Sequence, residues 1–228
     1  MPRHFLTLMD LSAAELQQLL KRARELKQLR KRGEDHASLQ HKTMAMIFEK
    51  SSTRTRVSFE AGMAQLGGSG LFLSPRDTHL GRGEPVEDTA RVMSRMVDVI
   101  VIRANEHAMV ERFAQHSQVP VINALTDRLH PCQVLADAQT IMEHGDLRRD
   151  ELCYIGDGNN MCHSLLNLAG CLGMRMVVCT PQGYGPDAGI LARASRLATH
   201  NGGQIRLVAE PLSAVKGASF VYTDVWAS

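Results

Sequence analysis

Short apolar runs recur along the chain, separated by longer stretches whose apolar residues return every three or four positions. Met44 to Phe48, Gly70 to Ser74, Val97 to Ile102 and Val119 to Asn123 read as buried strands. Helical spacing follows the first run, where Phe59, Met63 and Leu66 share a face, and returns over Val86 to Met96, His107 to His116 and Pro131 to His144, the last stopping at Gly145. Ahead of them all, Ser12 caps a helix and Glu15 closes its capping box, with Leu16, Leu19, Leu20, Ala23 and Leu26 on one face. A second series then runs strand Leu152 to Ile155, helix Met161 to Leu172, strand Arg175 to Thr180, helix Gly189 to His200, strand Ile205 to Val208, a short helix near Leu212 to Lys216, and strand Phe220 to Val225. Strands separated by helices mean parallel crossovers, so the fold class is α/β with two doubly wound parallel-sheet domains. The chain turns polar between Asp146 and Asp150, which predicts domains over 1–147 and 148–228. No internal repeat, low-complexity tract or heptad run is present.

Composition narrows the function classes. At 228 residues and 44% hydrophobic content the chain can bury a real core, and a net charge of +2 is too mild to imply nucleic acid or an anionic membrane as partner. The basic run Lys21, Arg22, Arg24, Lys27, Arg30, Lys31 and Arg32 has no interleaved aromatics, so it reads as a solvated helix face rather than a nucleic-acid patch. Cys132, Cys153, Cys162, Cys171 and Cys179 form no C-x-x-C or zinc-finger spacing and read as buried thiols, which implies no metal. Without an apolar leader or a membrane-length apolar window, the expectation is a cytoplasmic protein.

The chemistry lies where strands end. Glu49-Lys50-Ser51-Ser52-Thr53-Arg54-Thr55-Arg56 hands a strand over to a helix N-terminus, where orphan N–H groups, the positive end of the dipole, hydroxyls and a guanidinium make an anion receptor. The plainer reading is a Ser52 or Thr53 cap beside solvated arginines. Arg103, directly after Val99-Ile100-Val101-Ile102, is either a second cation for that anion or a surface charge. His130 and Gln133 open a helix behind Pro131, where they can hydrogen-bond a carbonyl and stabilise charge developing on its oxygen; the alternative for His130 is a cap. Gly156-Asp157-Gly158-Asn159-Asn160 lacks the third glycine of a dinucleotide fingerprint and places a carboxylate where a pyrophosphate would sit, so its amides suit a zwitterion better. Asp224 closes the last strand with a carboxylate able to meet an ammonium.

Taken with Asp77-Thr78-His79-Leu80-Gly81-Arg82-Gly83-Glu84 and Thr223-Asp224-Val225-Trp226, these motifs stand in the order and spacing of a known family: the chain resembles the aspartate/ornithine carbamoyltransferases, in their ornithine-type version. The resemblance implies carbamoyl transfer from carbamoyl phosphate to the δ-amine of L-ornithine, without metal or organic cofactor. It assigns Ser52, Thr53, Arg54, Thr55 and Arg103 to the phosphate, His130 and Gln133 to the carbamoyl end, and Asn160 and Asp224 to ornithine. It also implies a homotrimer whose shared sites receive His79 from a neighbour. The chain stops at Ser228, whereas the family continues through further motifs and helices, so the second domain is expected to be incomplete and the helix Met161 to Leu172 partly uncovered. Two functions follow from this: a carbamoyltransferase, or a non-catalytic relative that binds carbamoyl phosphate or a partner. A third keeps the reaction and changes the acceptor to another diamine or amino acid.

Overall fold

The computed structural model describes residues 2–74 and 83–224. They form two compact units, Met1–Leu6 with Arg22–Asp127, and Thr7–Lys21 with Arg128–Ser228. The first helix, α1 (Ala13–Arg32), starts where the sequence predicts: the Ser12 N–H and hydroxyl both donate to Glu15 Oε2 at 2.8 Å.

In the first unit β1 (Thr43–Phe48), β2 (Ser69–Leu73), β3 (Val99–Arg103) and β4 (Val121–Leu125) form one parallel sheet in the order β2-β1-β3-β4. The central strands are apolar on both faces, as helix-covered parallel strands must be. Ala45, Ile47, Ile100 and Ile102 pack with Ala90 of α3 (Val86–Met93) and Val110 and Phe113 of α4 (His107–His116). The alternate residues Met44, Met46, Phe48 and Val101 pack with Phe59 and Met63 of α2 (Thr53–Gln65). α3 is a turn shorter than the periodicity predicts, because the Ser94 hydroxyl bonds back to the Ala90 carbonyl and closes the helix there.

In the second unit β5 (Glu151–Ile155), β6 (Arg175–Cys179), β7 (Gln204–Leu207) and β8 (Phe220–Thr223) run parallel in the order β7-β6-β5-β8. Around them lie α5 (Pro131–His144), α6 (Asn160–Leu172), α7 (Ala188–His200) and α8 (Pro211–Ala214). The expectation that α6 is partly uncovered is wrong. Every residue from Ser164 to Leu172 is buried, since α7 packs closely along the helix and the 3-10 turn Leu8–Asp10 reaches it as well. Gly170 permits that approach: a Cβ there would lie 3.0 Å from the Ala194 carbonyl oxygen. Exposed apolar surface is found instead on the edge strand β8, where Val221 is 59% accessible.

Both sheets share one topological feature. In the first, the chain leaves β1 for β2 on one side and returns past it to β3 on the other; in the second, β5 is flanked by β6 and β8 in the same way. Loops that depart in opposite directions open a crevice at the carboxyl ends of the two central strands, where α/β sheets take ligands.

Candidate functional site

The switch point of the first sheet lies between the ends of β1 and β3, and the Ser52 turn and Arg103 meet there. Ser52 is the N-cap of α2: its Oγ accepts the Thr55 N–H at 3.3 Å, and its hydroxyl donates to Thr55 Oγ1 at 2.9 Å. Arg103 Nη1 reaches the same Thr55 oxygen at 3.5 Å. Glu49 laces the two strand ends together, donating its N–H to the Arg103 carbonyl at 2.8 Å and accepting the Asn105 N–H at 2.8 Å. The cap reading of Ser52 is therefore correct and coexists with the receptor reading.

Positive charge gathers at this turn. Arg103 Nε is buried without a hydrogen-bond partner, and burial, with the charge of Arg54 added to it, pushes the Arg103 guanidinium pKa down. Gathering two cations without a counter-ion costs free energy unless a ligand neutralises them. The exposed Arg54 makes no ion pair among the described residues, whereas Arg56 is committed elsewhere, donating to Glu60 at 3.0 Å and lying 3.8 Å over the Phe72 ring. An open concavity of about 540 Å³ borders the turn, lined by Glu49, Ser51, Ser52, Thr53, Arg56 and Ser74 on its polar side and Phe48, Val57 and Phe72 on its apolar side. Arg54, Thr55 and Arg103 do not line it, so the anion seat and the concavity are neighbours that share the Ser52–Thr53 corner.

At the second switch point β5 and β8 end in Gly156-Asp157-Gly158-Asn159-Asn160 and in Asp224. Asn159 is the N-cap of α6, and its Oδ1 accepts the N–H groups of Met161 and Cys162 at 3.0 and 3.3 Å. Its Nδ2 donates to Asp224 Oδ2 at 2.9 Å, so one amide both starts the helix and holds the carboxylate. Asn160 is the first residue of α6 beside it. Gly158 is needed because the next loop presses on it: its N–H donates to the Tyr184 carbonyl at 2.8 Å, and a Cβ would lie 2.3 Å from Pro186 N. That N–H is thereby spent, which removes a donor that a dinucleotide pyrophosphate would use.

His130 and Gln133 belong to this second unit. The His130 backbone N–H donates to Ser164 Oγ at 2.7 Å, which ties the start of α5 to α6. His130 is the N-cap residue of α5, as the cap alternative has it, but its side chain makes no cap hydrogen bond. Gln133 is exposed one turn further on and donates from Nε2 to Asp137 at 2.9 Å. Between them, burial pushes the Cys132 thiol up to about 12, so it holds its proton and is no nucleophile near neutral pH. His79 and Trp226 lie outside the described residues. Sequence reasoning missed Glu49 as the strand-end latch and Asn159 as the partner of Asp224, although the N-cap preference for Asn was a signal for the latter.

Models of known families match this pattern over nearly its whole length. The model described as aspartate/ornithine carbamoyltransferase, carbamoyl-P binding domain, matches residues 3–143, and that described as aspartate/ornithine carbamoyltransferase, Asp/Orn binding domain, matches 149–228. The chain belongs to the aspartate/ornithine carbamoyltransferase family. Within that family it is 55% identical over 226 residues to an ornithine carbamoyltransferase of Nitrosococcus oceani, covering 99% of this chain and 72% of that protein. The corresponding protein of Halorhodospira halophila is 57% identical over 227 residues, covering 99% and 73%. Among solved structures, ornithine carbamoyltransferase from Pyrococcus furiosus superposes with a TM-score of 0.96 at 47% identity, over 99% of this chain and 72% of that one. The carbamoyltransferase fold of two parallel sheets is thus shared, and this chain spans a little under three quarters of the length of these relatives.

Proposed function

We propose that the protein transfers the carbamoyl group of carbamoyl phosphate to the δ-amine of L-ornithine, giving L-citrulline and phosphate. The carrying observation is the turn at the first switch point, where Arg54 and the buried, unpartnered Arg103 Nε converge beside the Ser52 and Thr55 hydroxyls. Ser52, Thr53, Arg54, Thr55 and Arg103 bind the phosphate of carbamoyl phosphate in this reading. His130 and Gln133 engage its carbamoyl end, and Asn160 and Asp224 take ornithine. The division between the two substrate domains falls at 147/148, after the compact-unit boundary at Asp127/Arg128, so α5 serves the carbamoyl-phosphate domain although it packs within the second unit. His79 comes from a neighbour in a homotrimer.

Each role follows from charge and hydrogen bonding. The neutral δ-amine attacks the carbamoyl carbon, negative charge builds on the carbonyl oxygen, and phosphate departs onto the guanidinium groups. Donors fixed at such an oxygen are worth about 10²–10³ in rate each. No protein nucleophile is required, which agrees with the protonated Cys132. The ammonium of ornithine meets Asp224, which Asn159 holds in place; the ammonium gives one proton to water to become the nucleophile, and the second proton it sheds on attack leaves with the phosphate. Tyr154 and Tyr222 are no bases for this step, because burial pushes both phenols further up. We place the reaction in the cytoplasm; no described helix is long and apolar enough to cross a membrane.

A thermal-shift titration with N-(phosphonacetyl)-L-ornithine, phosphate and the aspartate counterpart tests the reading, since a ligand of the folded state raises the melting temperature by mass action. Stabilisation by the ornithine mimic far beyond the other two is expected, together with citrulline formation from the two substrates. Equal shifts for the mimic and phosphate, with no citrulline, would leave a carbamoyl-phosphate-binding relative without turnover.

A further inference from the structure

A carboxylate stands among the cations of the first switch point. Lys50, Arg54, Arg56 and Arg103 bring positive charge to the ends of β1 and β3, and Glu49 sits among them. A negative charge beside a turn that binds an anion works against the ligand, so Glu49 must offset that cost in another way.

Its hydrogen bonds show how. Phe48 pairs with Arg103 in the parallel ladder, and the Glu49 N–H continues the ladder one step by donating to the Arg103 carbonyl at 2.8 Å. The next rung would run from the Asn105 N–H to the Glu49 carbonyl. It runs instead to the Glu49 side chain, Oε2, at 2.8 Å, and the Asn105 amide nitrogen reaches the same oxygen at 3.4 Å. The carboxylate thus stands in for its own backbone carbonyl where β1 turns away into Ser51 and Ser52. A single residue brackets Arg103, holding its carbonyl and the N–H two residues further on.

The bracket matters because β4 gives Arg103 irregular support. The register of β3 with β4 shifts between Ile102, opposite Asn123, and Arg103, opposite Leu125. Such irregularities bend a strand and re-aim its side chains. Past the shift, the Ala104 N–H donates to the Leu125 carbonyl at 3.0 Å and the Asp127 N–H to the Asn105 carbonyl at 2.8 Å, so Asn105 is held between Glu49 and the end of β4. The Arg103 guanidinium itself is lightly held, by the 3.5 Å contact to Thr55 with Nε unpartnered. Its direction therefore follows from its backbone.

We propose that Glu49 is a positioning residue for phosphate binding: its N–H and its carboxylate fix the backbone from Arg103 to Asn105 and so hold the Arg103 guanidinium beside Thr55. This rests on the reading of Arg103 and Thr55 as ligands of the phosphate of carbamoyl phosphate. Glu49 touches no substrate in this role, and its effect on binding passes through Arg103.

A double-mutant cycle on Glu49→Ala and Arg103→Met tests this, read by titration calorimetry with N-(phosphonacetyl)-L-ornithine and with inorganic phosphate. In the unsubstituted background Glu49→Ala should weaken both ligands about tenfold, the equivalent of about 1.4 kcal/mol. In the Arg103→Met background the same change should weaken the mimic less than about twofold, because the group it positions is gone. A second pair of variants separates reach from charge and serves even if Glu49→Ala does not fold. Glu49→Gln keeps the acceptor for Asn105 and drops the charge, so binding should stay within about threefold of the unsubstituted protein. Glu49→Asp keeps the charge and shortens the reach by one methylene, and should lose most of what Glu49→Ala loses. Equal losses in the two backgrounds overturn the proposal, since the effect then bypasses Arg103. Tighter binding by Glu49→Ala, or a larger loss in Glu49→Gln than in Glu49→Asp, assigns the effect to charge and also overturns it. All of these outcomes leave the proposed function standing. If the unsubstituted protein binds neither ligand, the reading of this turn as a phosphate site falls, and this inference with it.

Discussion

The two switch points have the same topology and opposite polar bookkeeping. At the first, Arg54 and Arg103 are brought together with a buried guanidinium N–H unmet. At the second, Asn159 binds Asp224 and the N–H groups of Met161 and Cys162, and Tyr154 bonds Asp157. The first site gathers positive charge and leaves a donor unmet. The second holds its side chains in place before any ligand arrives. Unmet need supplies affinity for a charged group, whereas a satisfied network supplies the geometry that a small polar ligand requires.

Substituting Arg103 breaks this contrast most directly. Arg103→Met removes the buried unpartnered N–H and the repulsion with Arg54, so the unliganded protein should gain stability, of order 1 kcal/mol. Binding of phosphate and of N-(phosphonacetyl)-L-ornithine should weaken about a hundredfold, since a hydrogen bond to a charged group contributes about 1.5–3 kcal/mol. Melting temperature and titration calorimetry on the same samples check both halves. A variant that melts lower and still binds phosphate normally would show Arg103 to be structural.

Asn159→Ala is the matching change at the other switch point, with both effects expected in the destabilising direction. Loss of the N-cap of α6 should cost about 1 kcal/mol, read as a drop in melting temperature or in denaturant midpoint. Releasing Asp224 should weaken the ornithine mimic while leaving phosphate affinity unchanged. Equal weakening of both ligands would contradict the separate roles of the two sites.

How much of this was legible in the chain depends on how far apart the interacting residues are. Met44–Phe48 and Val99–Ile102 announce themselves because buried parallel strands are apolar on both faces, and the Ser52 turn is visible because cap, hydroxyls and arginines are consecutive. The capping box of Ser12 and Glu15 needs only a spacing of three. The Asn159–Asp224 and Asp137–Tyr222 bonds join residues 65 and 85 positions apart, so no local pattern encodes them. The burial of α6 was misjudged for the same reason, as its cover comes from α7 and from the distant turn Leu8–Asp10. Local chemistry can be read from sequence, but the satisfaction of polar groups depends on tertiary placement.

The smallest expected effect concerns one histidine of the second unit, whose two ring nitrogens are both met. His163 Nδ1 faces the Arg128 carbonyl at 3.1 Å, and its Nε2 faces the Asp187 N–H at 2.9 Å. A carbonyl needs a donor and an N–H needs an acceptor, so the ring is neutral with its proton on Nδ1. Burial lowers its pKa, outweighing the upward push of the Arg128 hydrogen bond and the Asp187 charge. Between that lowered value and the ordinary value near 6.5 the unfolded chain binds the extra proton and the folded one does not, so stability rises with pH. The contribution is complete above about 6.5 and is lost as pH falls toward the folded value, because a protonated Nε2 can no longer accept from Asp187. Melting curves of the protein and of His163→Gln from pH 5 to 7.5 isolate this effect from that of the carboxylates. Their difference should widen with rising pH and level off above about 6.5. A difference that is flat across the range would mean that the ring carries its proton in the fold without penalty, and that the segment two residues before His130 is held by something other than this histidine.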